Sequence, residues 1–169
     1  MPPTLMRGLT TFGFVGLLRP APGTWGSAVA LGLGVAIDHY LGFFALVFAT
    51  LAVTGWGFWA CEIVLRDRPG EDPSEIVIDE VAGQWLTLLF PAAAFWNMGL
   101  ENWAVVAYPG WVAAFVFFRL FDIWKPWLVG RADRRGDAAG VMLDDLWAGL
   151  FAGLAVVAAA GLSHGLLMK

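Results

Sequence analysis

Five continuous apolar stretches, separated by short charged or turn-rich breaks, take up most of this 169-residue chain. They run about 24–38, 41–64, 81–98, 103–118 and 146–162. Their hydrophobicity is unbroken rather than alternating, which argues for helices and against strands. A bilayer span needs roughly 17–25 residues, so the first and fourth stretches are marginal. The first contains Gly26, Gly32 and Gly34. It is expected either to span or to form a re-entrant, half-membrane excursion, which is tolerated only where protein covers the backbone. A break is expected at Asp38-His39-Tyr40, and kinks at Pro91 and Pro109-Gly110. Hydrophobic residues make up 59% and charged residues 14% of the chain, with a mean hydropathy of +0.70. Soluble domains hold about 45–50% apolar and about 25% charged residues. The fold expected is therefore an all-α integral membrane protein, one domain over 1–169, built as a compact bundle of four to five membrane helices. Cys61 is the sole cysteine, so no intrachain disulfide can form. The N-terminus lacks a small-residue cleavage site and is not expected to be a secretory signal.

The charges are concentrated. Eleven of the fourteen carboxylates lie in one cluster from Asp67 to Glu80, at Asp122, and in a second cluster of Asp133, Asp137, Asp144 and Asp145. If all five stretches cross, these acids share one side with nine of the ten basic residues, and only Lys169 lies opposite. The positive-inside rule puts that side in the cytoplasm. Trp25, Trp85, Trp124, Trp127 and Trp147 fall near the same boundary, as an interfacial aromatic belt would. The net charge of −4 is too localised to identify partners, and nothing calls for nucleic acid.

Two acid pairs stand out. IVIDEVAGQW and VMLDDLWAGL each place adjacent carboxylates before an apolar helix, as Asp79-Glu80 and Asp144-Asp145. Helix caps or salt bridges would account for one acid per helix; a doubled pair at both suggests ligands for a hard divalent cation. Glu75 precedes Asp79 by four and would share its face on a helical turn. Asp122, in FRLFDIWKP, is flanked by Arg119 and Lys125. Either it forms an intrahelical ion pair, or it faces the metal while the two cations bind an anion. In GLLRPAPGTWGS, Arg19, Thr24 and Ser27 can offer donors to a phosphate at a helix start, although a Pro-Gly turn would look similar. His39 and His164 fall on the other side, which leaves a histidine-dependent hydrolase without support. Cys61 and Arg66 are one residue short of a C-x5-R loop, and no Walker-type loop occurs. Metal-assisted displacement by water suits what remains. An ion or proton pathway also uses intramembrane carboxylates but wants them through the bilayer, where this chain is apolar.

In this order, RPAPGTWGS, DPSEIVIDEVAGQW, FRLFDIWKPW and GVMLDDLWAG resemble the phosphatidylglycerophosphatase A family over about residues 8–155. The resemblance implies a Mg²⁺-dependent phosphomonoesterase of the bacterial inner membrane, seated among membrane lipids. Its polar face would be cytoplasmic and its substrate phosphatidylglycerophosphate, converted to phosphatidylglycerol; oligomeric state is left open. Pro22, Gly23, Thr24, Gly26, Ser27, Asp72, Glu75, Asp79, Glu80 and Gly83 fall in its motifs, followed by Arg119, Asp122, Lys125, Pro126, Met142, Asp144, Asp145 and Gly149. The expected catalytic acids are Asp79, Glu80, Asp122, Asp144 and Asp145. Glu75, Asp79, Glu80, Asp144 and Asp145 are the expected metal ligands, and Arg19, Thr24, Ser27, Arg119 and Lys125 the phosphate contacts. Two positions depart from the expected pattern: Arg19 replaces a lysine, and Asp137-Ala138-Ala139 replaces a glycine-richer approach to Gly140.

Overall fold

A computed structural model describes residues 3–66, 73–100 and 108–167. Helix α1 (Pro3–Thr10) and a 3-10 turn (Val15–Leu17) precede five long helices: α2 (Pro22–Leu41), α3 (Phe43–Leu65), α4 (Ile78–Asn97), α5 (Tyr108–Trp124) and α7 (Ala138–Leu167). A short α6 (Leu128–Asp133) links the last two. No strand occurs among the described residues, so the all-α expectation holds. Among the described residues, α3 and α7 are the helices both long and apolar enough to qualify by themselves as membrane spans.

Several boundaries differ from expectation, each for a local reason. The first apolar stretch is one continuous helix of 20 residues, about 30 Å long, and does not double back. It continues through Asp38-His39-Tyr40 and stops at Gly42, whose φ of 88° only glycine adopts readily. Gly42 donates its N–H to the Asp38 carbonyl at 2.9 Å and is the whole connection to α3. Pro109 is the second residue of the described α5, and residues 101–107 ahead of it lie outside the described ones. Pro91 lies inside α4 without ending it. Helix α7 begins eight residues before the fifth apolar stretch, so Asp144 and Asp145 sit inside a helix and not ahead of one.

Helix α4 is central and packs against α2, α3, α5 and α7. The start of α2 meets the start of α4, where Gly23 lies against Glu80. Phe43 and Phe44 at the start of α3 pack on Trp96 at the end of α4. The long helices thus alternate in direction, with α2, α4 and α7 beginning at one end of the bundle. The interior holds Ser27, Thr50, Asp79, Gln84, Thr87, Asp144 and Asp145, all buried. The outside carries Phe44, Phe48, Leu51 and Trp59 on α3, and Val112, Val116, Leu120 and Ile123 on α5. Leu46, Ile78, Val81, Leu88 and Met142 are buried beside those polar residues, so the bundle is apolar inside and out, whereas a water-soluble bundle turns a polar face outward.

The tightest contact joins α4 to α7. A Cβ on Gly83 would lie 2.5 Å from the Asp145 carbonyl oxygen, and one on Gly149 would lie 2.4 Å from the Gly83 carbonyl oxygen. Small residues let helix backbones approach in this way. The Thr87 hydroxyl seals the crossing, reaching the Gly83 carbonyl at 2.9 Å and the Gly149 carbonyl at 3.2 Å. Overpacking a close contact costs roughly 1–3 kcal/mol, so Gly149→Val should lower the melting temperature in detergent by several degrees. Gly55→Ala, where a Cβ meets nothing within 4 Å, should not. Equal melting temperatures for the two variants would contradict this packing.

Candidate active site

Asp79 and Glu80 occupy the first turn of α4, while Asp145 lies about two turns into α7. Asp79 precedes Gly83 by four residues and Asp145 precedes Gly149 by four, so each acid sits one turn above the glycine on its own helix. The glycine contact therefore brings the two acids together. Ligand oxygens of Asp79, Glu80 and Asp145 all lie within 4.8 Å of one another. Asp79 is 7% exposed and Asp145 3%. Glu80 Oε2 and Asp145 Oδ1 are enclosed and have no hydrogen-bond partner among the described residues. At that separation two ionised carboxylates repel by about 3 kcal/mol at an effective dielectric near 20. Capping does not explain the cluster. The residue capping α4 is Val77, and Asp145 is well inside α7. Hard oxygen donors, converging and partly unpaired, fit a divalent cation.

The other predicted acids take different places. Asp144 accepts the Asp145 N–H at 3.0 Å and the Lys125 ammonium at 2.8 Å, so it flanks the three-acid cluster without joining it. Asp122 forms the intrahelical ion pair with Arg119, at 2.5 Å. It also stands against Asp145 and within electrostatic reach of Glu80. Glu75 is not with the metal candidates. It lies in the turn ahead of α4, out of helical phase with Asp79, and pairs with Arg7 at 3.0 Å.

The predicted phosphate contacts divide similarly. Lys125 bridges Asp133 and Asp144. Its φ of 49° and the 45° of Trp127 are left-handed conformations, costing about 1–3 kcal/mol each, and they frame the turn that presents the ammonium to these acids. Partial burial disfavours the ammonium, but the bonds to Asp133 and Asp144 outweigh it and hold Lys125 above the usual lysine range. Arg119 points one guanidinium N–H at Ser27 Oγ, 3.4 Å away. Ser27 is not a free donor, because its hydroxyl donates to the Gly23 carbonyl at 2.8 Å. Thr24 is half-buried at the start of α2, and Arg19 is exposed with no ion pair to a described residue. Asp72 lies outside the described residues.

The glycines of this motif make room for close packing. A Cβ at Gly23 would lie 2.1 Å from Glu80 Oε1, and one at Gly26 would lie 2.8 Å from Val77 Cβ. Gly16 makes the same room for the Glu75 carbonyl. The start of α2 is thus notched to receive residues 75–80, and its positive dipole end faces the Glu80 carboxylate. The unexpected Asp137 has a structural role. It accepts the Gly140 N–H at 2.7 Å and both Arg135 donors, which hold it below the usual carboxylate range, Arg135 contributing most.

Against this geometry the comparisons are decisive. The family described as phosphatidylglycerophosphatase A matches residues 8–160. The chain belongs to the phosphatidylglycerophosphatase A family. Within that family, the phosphatidylglycerophosphatase A proteins of Haemophilus influenzae and Escherichia coli are each 32% identical over 145 residues. The first alignment covers 85% of this chain and 81% of its relative, the second 84% and 76%. A Bacteroides thetaiotaomicron protein provisionally named phosphatidylinositol-3-phosphatase is 36% identical over 163 residues, covering 93% of this chain and 95% of its own. No solved structure matches. Family membership makes the protein a phosphatase, and all three clustered acids lie in the matched region.

The Lys125 pairing yields a test. In Lys125→Met, buried Asp144 loses its cation, a loss felt only while the carboxylate is ionised. The melting temperature of the variant should fall below wild type at pH 7.5 and approach it near pH 4. A deficit independent of pH would mean that Lys125 contributes packing alone.

Proposed function

We propose that the protein is a Mg²⁺-dependent lipid phosphatase that hydrolyses phosphatidylglycerophosphate to phosphatidylglycerol and phosphate in phospholipid biosynthesis. The observation that carries this reading is the convergence of Asp79, Glu80 and Asp145 at one end of the bundle, in a chain of this family. These three acids would hold the cation, with Asp144 beside them. Bound there, Mg²⁺ would polarise a phosphoryl oxygen and acidify a water. Arg119, Nε unpartnered and next to Glu80, is placed to exchange its contacts for oxygens of a phosphate monoester, which guanidinium recognises bidentately. Lys125 offsets the negative charge on the α7 side of the cluster. Enclosure of the acids keeps bulk water from screening these interactions.

The outward apolar faces of α3 and α5 and the two span-length helices support a multi-pass seat in the bacterial inner membrane. Arg7, Arg19, Arg66, Lys125, Arg131, Arg134 and Arg135 gather at the acid-bearing end, which supports a cytoplasmic site. The ion-pathway alternative finds no support, because the clustered acids lie at one end and do not line the bundle. The Bacteroides relative favours phosphatidylinositol 3-phosphate as a second lipid substrate to be assayed.

Phosphate release from phosphatidylglycerophosphate by the detergent-purified protein should require Mg²⁺. Asp79→Asn, Glu80→Gln and Asp145→Asn should each reduce turnover by orders of magnitude and weaken the response to Mg²⁺, whereas Glu75→Gln should keep most activity. Arg119→Gln should lower kcat/KM with the Mg²⁺ dependence intact. Near-normal rates in all three cluster variants would place the chemistry elsewhere. For orientation, cysteines replacing Arg134 and exposed Tyr40 in a Cys61→Ala background should be labelled from opposite sides, Arg134 from the cytoplasm. Labelling of both from one side would refute the multi-pass arrangement.

A further inference from the structure

Gln84 is fully buried, yet neither Nε2 nor Oε1 of its amide has a hydrogen-bond partner among the described residues. An unpaired buried amide costs roughly 1–3 kcal/mol, so a position holding one invites a functional explanation. Its location supplies it. Gln84 follows Glu80 by four residues in α4, one turn deeper on the same face, with Cβ atoms about 5–6 Å apart. Its neighbours fix that face. Gly83 turns toward Phe118 of α5 and Asp145 of α7, while Trp85 turns the other way and donates to the Ala30 carbonyl of α2 at 2.7 Å. Gln84 therefore points between α5 and α2, below the place where Glu80 meets Gly23 and Arg119. Three side chains of this sector carry enclosed, unpartnered polar atoms: Glu80 Oε2, Arg119 Nε and both amide atoms of Gln84.

We infer that Gln84 is a positioning residue for Glu80, orienting its carboxylate toward Asp79 and Asp145 through one buried water at the junction of α2, α4 and α5. No direct bond links Gln84 to Glu80, while the one-turn spacing is what a single water spans. Such a water would accept from the Gln84 amide and donate to Glu80 Oε2, giving the buried amide a partner. Arg119 Nε, also without a partner among the described residues, lies in the same sector and makes no bond to this oxygen. Ligating carboxylates depend on hydrogen bonds of this kind for their orientation. Leu, Met or Val at position 84 would satisfy packing, so an amide there serves the acid above it.

This inference rests on the proposed metal site, and Mn²⁺ titration of the substrate-free protein in detergent separates the two. Wild-type protein that takes up no Mn²⁺ would refute the metal reading itself. Given wild-type uptake, Gln84→Met should bind Mn²⁺ about 10–100-fold more weakly, while the metal-free variant melts at or above the wild-type temperature. At saturating Mg²⁺ its kcat should return to within a few fold of wild type, which a collapsed core would not permit. Should Gln84→Met fail to fold, Gln84→Asn decides the question, because the shortened amide keeps its polarity but cannot reach the same water. Mn²⁺ affinity within twofold of wild type in a folded variant would overturn the assignment.

Discussion

The backbone contact between α4 and α7 is the constraint on which the site depends. Two glycines let the helices approach until one carbonyl nearly touches the opposite Cα, and a threonine hydroxyl holds both strands of the crossing. Because both helices run the same way there, residues one turn earlier are brought side by side. Those residues are Asp79 and Asp145. Bulkier contacts would separate the acids by ångströms, and a divalent cation with ligand distances of about 2.0–2.6 Å tolerates no such widening. The convergence of the acids is therefore set by a packing contact that carries no charge.

Around that contact the remaining helices divide the work. Helix α2 is notched by Gly23 and Gly26, so that the Glu80 side chain and Val77 can lie against its first turns. Helix α5 brings Arg119 and Asp122 to the same space as a ready-made ion pair. The turn after α5 directs Lys125 to Asp144, so the two acids that flank the cluster are paired within the protein, Asp144 by Lys125 and Asp122 by Arg119 of its own helix. Asp79, Glu80 and Asp145 are left with the least internal compensation. That imbalance, more than the number of acids, distinguishes them as ligand candidates.

Much of this was legible in the sequence. Apolar runs mark the long helices, and acids doubled near span starts point to Asp79, Glu80, Asp144 and Asp145, of which the fold groups Asp79, Glu80 and Asp145. The fixed offset from acid to glycine, D-x3-G in both DEVAG and DDLWAG when counted from Asp79 and Asp145, was also readable and pairs the two helices. Glu75 was misplaced because a four-residue spacing implies a shared face only inside a helix, and α4 starts three residues later. The start of α7 was set too late because the apolar stretch was counted from beyond Asp144-Asp145, whereas the helix begins at Ala138 with Asp137 bonded to its first turn and carries the acid pair inside it. Ser27 and Lys125 were expected as phosphate contacts; Ser27 bonds the carbonyl one turn back in its own helix, as helical serines do, while the acids that hold Lys125 meet it only in the folded chain.

Chain order gives the α4–α7 crossing a consequence for biogenesis. Thr87 and Gly149, which meet there, are 62 residues apart in sequence. During synthesis α4 is made long before its partner, so Asp79 and Glu80 do not meet Asp145 until the last long helix has emerged. Like-charge crowding is therefore deferred to the final docking step, when Lys125 and Arg119 are already in the chain to receive it. A nascent protein truncated before α7 carries two of the three clustered acids and none of the crossing that brings in the third.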